Sequence, residues 1–116
     1  DAYKLTNAQY PVVFNMTCLT GLFTHPKTES LSEALLFNPN GGAVAMMAPT
    51  SLTLPGDQSF LSTPLGEALD EGTIERIGDI FMFAQRQVNG ETQGVRDVLA
   101  TFLLFGDPGL VIFPKD

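Results

Sequence analysis

One cysteine, one histidine and six basic residues are all that this 116-residue sequence brings to several large classes of chemistry. The single thiol, Cys18, excludes an internal disulfide and any zinc site built from several thiolates. Six Lys and Arg stand scattered against thirteen Asp and Glu, a formal net charge of −7. Phosphate backbones and anionic headgroups find no attractive face here, so neither nucleic-acid binding nor attachment to an anionic membrane surface is expected. The longest apolar run, Val12 to Phe23, is broken by Asn15, Thr17, Thr20 and Gly21. It falls short of the ~20 residues a bilayer helix needs, so no membrane insertion is expected. The sequence starts at Asp1 without methionine or a basic, apolar leader, which suggests a mature product or a piece of a longer chain.

What is present reads as a globular α/β chain: 44% of the residues are hydrophobic and 16% are charged. Pro11 to Met16, Pro-Val-Val-Phe-Asn-Met, suits a strand buried on both faces that ends near Cys18. Ser30-Leu31-Ser32-Glu33 has capping-box spacing before Ala34, Leu35, Leu36 and Phe37, and predicts a helix from Leu31 to Phe37. Asn38-Pro39-Asn40-Gly41-Gly42 ends it. Ala43 to Ala48 is a second buried strand, reached by a helical crossover and therefore parallel to the first.

Further along, Pro49 to Ser62 reads as a long loop, and Thr63-Pro64 as the start of a helical turn through Leu69. Ile77, Phe81, Ala84 and Val88 predict the longest helix, starting near Ile74. Val95, Val98, Leu99, Phe102 and Leu103 predict another, ending at Gly106. Leu110 to Phe113 is then the third strand. Three parallel strands leave two sheet edges, so neighbours are expected from a preceding segment or from a second copy.

Gly41-Gly42 precedes a strand and no lysine follows, which makes it a turn rather than a phosphate loop. Gly106-Asp107-Pro108-Gly109 supplies one carboxylate, too few for a calcium loop. No metal and no cofactor are expected. Cys18 lies just beyond the carboxyl end of a strand, where open α/β sheets bind their ligands. A cysteine there can act as a nucleophile when a base or local field favours its thiolate; otherwise it is a small inert hydrophobe.

A resemblance bears on that choice. Pro11-Val12-Val13-Phe14-Asn15-Met16-Thr17-Cys18-Leu19-Thr20-Gly21-Leu22-Phe23, followed by Ser30-Leu31-Ser32-Glu33-Ala34-Leu35-Leu36, resembles the nucleophile strand and following helix of gingipain-like, caspase-clan cysteine peptidases. Asn40-Gly41-Gly42-Ala43-Val44-Ala45 and Leu103-Leu104-Phe105-Gly106-Asp107-Pro108-Gly109-Leu110 are similar to two later segments of that family, in the same order. The resemblance implies the C-terminal half of one peptidase domain over residues 1–116, a three-layer caspase-like sandwich whose mostly parallel sheet is flanked by helices.

It also implies that Cys18 attacks a peptide carbonyl, with its own N–H in the oxyanion hole, and that the base is a His-Gly histidine on an earlier strand, absent from these residues. His25, in a loop, does not correspond to that base. By its position after the second strand, the segment from Pro49 to Phe60 is placed to wall a substrate pocket, with Thr50 and Ser51 offering hydroxyls and Asp57 able to pair with a basic residue before the scissile bond; the alternative is a solvated loop with an ordinary surface aspartate.

The expected function is thus a secreted or cell-surface cysteine endopeptidase acting on peptide or protein substrates. Its partner is the N-terminal half of the same domain or a second chain, and the segment alone is inactive. The alternative is a catalytically inactive caspase-like scaffold or interaction domain. A flavodoxin-like binder would need a phosphate loop after its first strand, and none is present.

Overall fold

The apolar run that follows Gly42 forms the middle of a three-stranded sheet. The computed structural model describes residues 1–116, which divide into two compact units: Asp1–Leu52 with Thr101–Gly106, and Thr53–Ala100 with Asp107–Asp116.

In the first unit, strand β1 (Val12–Phe14) leads through helix α1 (Leu31–Leu36) to strand β2 (Ala45–Pro49). The two strands are parallel, with Val12 opposite Ala45, as the crossover predicts. Every residue of β2 is buried, which explains its unbroken apolar composition, whereas β1 at one edge is only half-buried.

The other neighbour of β2 corrects the sequence reading. Strand β3 is Phe102–Phe105, antiparallel to β2, with Phe102 opposite Pro49 and Phe105 opposite Met46. Phe102 to Phe105 is therefore not the end of a helix, and Leu110 to Phe113 is no strand of this sheet. That tail contributes a single antiparallel bridge between Val111 and Arg76, in the second unit. The sheet, in the order β1-β2-β3, is thus mixed, with one parallel and one antiparallel pairing.

The second unit holds α2 (Pro55–Glu71), α3 (Ile77–Gln87) and nearly all of α4 (Gln93–Thr101). The expected loop up to Ser62 is mostly helix, because Pro55 at the first helical position opens α2 well before Pro64, which sits buried inside it. Gln58, Leu61, Leu65 and Ala68 form the buried face of α2, and Ile77, Ile80 and Ala84 that of α3, against which α2 packs. Gly78 lets the C-terminal tail approach: its N–H donates to the Pro108 carbonyl at 2.9 Å, and a β-carbon there would stand 2.7 Å from that oxygen.

The cap of α1 is the predicted box. The Glu33 N–H donates to Ser30 Oγ at 3.3 Å, and the Ser30 N–H and hydroxyl donate to Glu33 Oε2 at 2.8 and 2.7 Å. The bonds from the Ser30 backbone and then its side chain hold the Glu33 carboxyl below its ordinary value of 4.5. A depressed carboxyl contributes stability that is complete above its unfolded value and is lost as pH falls through its folded value. Wild type is therefore expected to exceed Glu33→Gln in urea midpoint near neutral pH, with the gap closing as the solution is acidified below the usual glutamate range. Ser30→Ala should cost about 1 kcal/mol at neutral pH by the same measurement.

Candidate active site

Beyond Phe14 the chain leaves the sheet and returns to it, and Cys18 sits on the excursion. The Asn15 N–H still donates to the Met47 carbonyl at 2.9 Å, extending the β1–β2 pairing. The Gly21 N–H then donates to Pro49 O at 2.9 Å, at the carboxyl end of β2. The approach is close, since a β-carbon on residue 21 would meet the Phe105 ring at 2.8 Å and the ring would have to shift to admit it. From the other side, the Ser32 N–H and hydroxyl of α1 both donate to Thr20 O, each at 3.0 Å. Thr17 donates its hydroxyl to Asn15 Oδ1 at 2.7 Å. The loop is thus tied to β2 and to α1, which fixes Cys18 between them.

Leu19, next to the cysteine, has φ of 62° and is the one non-glycine residue with positive φ. A side chain in that region costs roughly 1 kcal/mol, and such strain concentrates where a loop must aim a group. Leu19 is 41% exposed, so removing its side chain sacrifices little packing. Leu19→Gly is accordingly expected to leave stability unchanged or raise it by less than about 1 kcal/mol in urea unfolding, since glycine's extra unfolded-state entropy offsets part of the relief.

Cys18 is half-buried and lines an open cavity of about 330 Å³ together with Leu22, His25, Glu29 and Leu31. Because β1 and β2 are parallel, the Cys18 loop and Thr50-Ser51 leave the sheet at the same edge. Thr50 is committed there: its N–H and hydroxyl donate to Thr101 O at 2.8 and 2.9 Å. The Ser51 carbonyl accepts a long bond of 3.4 Å from the Leu19 N–H. Asp57 belongs to the second unit, in the first turn of α2, with its carboxylate against Gly94 of α4, where a β-carbon would collide with it. A negative charge suits both helix starts.

His25 is exposed, and its Nδ1 accepts the Lys27 N–H at 3.3 Å. That bond engages the Nδ1 lone pair within the His25–Lys27 turn. Glu29, which the sequence reading passed over, faces the same cavity and accepts the Tyr3 hydroxyl at 2.6 Å through Oε1. This bond first, then desolvation and the charges of Glu29 and Glu33, pushes the Tyr3 phenol above its usual 10.0. No three His, Cys, Asp or Glu side chains come together as a metal site, and no helix is long and apolar enough to cross a membrane.

The sequence model of peptidase family C25 matches residues 1–113. The chain belongs to that family. No curated protein sequence matches it. Among solved structures, the C25 chain is similar to the Arg-specific cysteine proteinase gingipain R, with a TM-score of 0.74 at 25% identity. It is also similar to the complex of Porphyromonas gingivalis RgpB pro- and mature domains, with a TM-score of 0.82 at 25% identity. In both, the match covers 95% of this chain and 28% of the other, so the chain spans little more than a quarter of the proteins it resembles. The gingipain-like α/β fold read from the sequence is shown by these likenesses, with the mixed sheet described above.

Proposed function

We propose that this C25 chain carries the nucleophile of a cysteine endopeptidase and that the nucleophile is Cys18. The observation that supports this most directly is the placement of the thiol. It is half-buried at the carboxyl edge of a parallel strand pair and opens onto a cavity, in a loop held from two sides. A thiol sealed in apolar packing would have argued for an inert role.

In this reading the Cys18 thiolate adds to the carbonyl carbon of the scissile bond, forming a C–S bond. The C–N bond then breaks as the leaving amine takes the proton the thiol gave up, and water hydrolyses the thioester. The proton carrier is a histidine from a segment outside these 116 residues, in accord with the exposure of His25 and its bond to Lys27. Thr50, Ser51 and Asp57 enter the proposal as substrate-binding residues on their position after β2. For Thr50 the bonded hydroxyl favours a role in shaping the wall over direct contact.

Substrates would be peptides or proteins, acted on outside the cell or at its surface. The natural partner of this chain is another part of the same protein, in keeping with the pro- and mature domain complex that it resembles. The test is covalent labelling of the full-length gene product by a peptidyl acyloxymethyl ketone. A peptide adduct mapped to Cys18 supports the role, and an adduct formed equally in Cys18→Ala overturns it.

A further inference from the structure

A fully buried hydroxyl on α1 is bonded to the loop that carries the thiol. Ser32 alone among the polar residues is 0% exposed, and its hydroxyl donates to the Thr20 carbonyl at 3.0 Å. Its N–H, which has no acceptor within the first turn of a helix, donates to the same oxygen at 3.0 Å. The Gly21 N–H, at the other side of that peptide unit, donates to Pro49 O at 2.9 Å. The unit joining Thr20 to Gly21, just past Cys18, is therefore gripped by α1 and by β2. One donor alone sets the distance to a carbonyl oxygen and lets the peptide plane rock about that bond; a second donor converging on the same oxygen removes the freedom. Helix propensity gives no reason for serine here, since alanine is the better helix former and a buried hydroxyl is costly unless bonded. Closer to the thiol the backbone is held less firmly: Leu19 has φ of 62° and its N–H reaches Ser51 O at 3.4 Å. Such a residue keeps its conformation because its surroundings impose it, and the Thr20–Gly21 anchor adjoins it.

We propose that Ser32 is a positioning residue: its hydroxyl fixes the Thr20–Gly21 peptide unit, so that Leu19 cannot relax and Cys18 keeps the aim its reaction needs. This rests on the reading of Cys18 as a peptidase nucleophile. Ser32 acts through the loop backbone, setting the distance and angle at which the thiolate meets the scissile carbonyl carbon, a geometry in which small misplacements slow the chemistry.

The experiment uses the full-length gene product and counts active sites by covalent labelling with a peptidyl acyloxymethyl ketone, so that kcat is expressed per labelled Cys18. Ser32→Ala removes the hydroxyl and keeps the N–H bond to Thr20. It is expected to lower kcat per labelled site about 3- to 10-fold, with KM and the pH profile of kcat/KM unchanged. Alkylation of Cys18 by iodoacetamide, a small reagent that needs no aligned carbonyl, should proceed at the wild-type rate. A role confined to stability would instead leave kcat per labelled site unchanged and speed the alkylation by opening the loop. Ile80→Val, which trims the buried face of α3, is the control for destabilisation and should leave kcat per labelled site as in wild type. An undiminished kcat per labelled site in Ser32→Ala, or an equal loss in Ile80→Val, overturns the role of Ser32 and leaves the nucleophile in place. A wild-type protein that fails to label at Cys18 overturns the peptidase reading, and the positioning role with it.

Discussion

Replacing Cys18 with alanine is expected to abolish both adduct formation and peptide hydrolysis, with kcat falling by about 10⁴-fold or more. The size follows from the role. A nucleophile that forms the covalent bond has no substitute nearby, and what remains after its removal is the weak catalysis of a preorganised site acting on water. Cys18→Ser tests the same point from the other direction, because an oxygen nucleophile served by machinery suited to a thiolate should recover little of the lost rate. Neither change should unfold the chain. Cys18 is only half-buried and the backbone bonds at Asn15, Thr20 and Gly21 hold its loop in place, so the urea midpoint should move little. An inactive but folded variant separates lost chemistry from lost structure. Hydrolysis that survives in a folded Cys18→Ala protein would remove the thiol from the mechanism.

What could be read in advance follows local chemistry closely. Ser30-Leu31-Ser32-Glu33 announced its box because both partners lie within one turn, and Ala43 to Ala48 announced a buried strand because both of its faces are covered. Phe102 to Phe105 was misread for a physical reason. A short apolar run is compatible with either period, and no glycine or proline separates Thr101 of α4 from Phe102 of β3. Pro64 misled in the opposite way, since a proline signal for a helix start fell inside a helix that Pro55 had already opened.

At the candidate site, the place of Cys18 after a strand was legible, but the cavity wall it shares with Glu29 was not. Tyr3, which orients that carboxylate, is 26 residues away in sequence. Nor does a leucine advertise the positive φ that Leu19 adopts, because its β-carbon makes that region unfavourable and only the surrounding bonds impose it.

Gly42 shows the largest expected cost of any single methyl group in the first unit. Its φ of 98° lies where side chains are strained, and a β-carbon would be driven into the Leu35 carbonyl oxygen at the end of α1. Neither side can yield. The Leu35 carbonyl accepts the Ala43 N–H at 3.1 Å. Asn7 grips residue 42 by both backbone groups, accepting its N–H at 2.8 Å through Oδ1 and donating Nδ2 to its carbonyl at 2.9 Å. Relaxing the clash therefore means breaking the clamp or shifting β2, the strand that aligns with β1 and receives the Gly21 N–H beneath the Cys18 loop.

Gly42→Ala is expected to lose about 3 kcal/mol or more in urea unfolding, a large share of the roughly 5–15 kcal/mol that holds such a domain together. Gly66→Ala is the control. That glycine lies within α2 with nothing near its missing β-carbon, so alanine there should gain about 0.5–1 kcal/mol from helix propensity. Equal and small effects at the two positions would mean that the Asn7 clamp yields in solution, and that the alignment of β2 under the Cys18 loop does not depend on it.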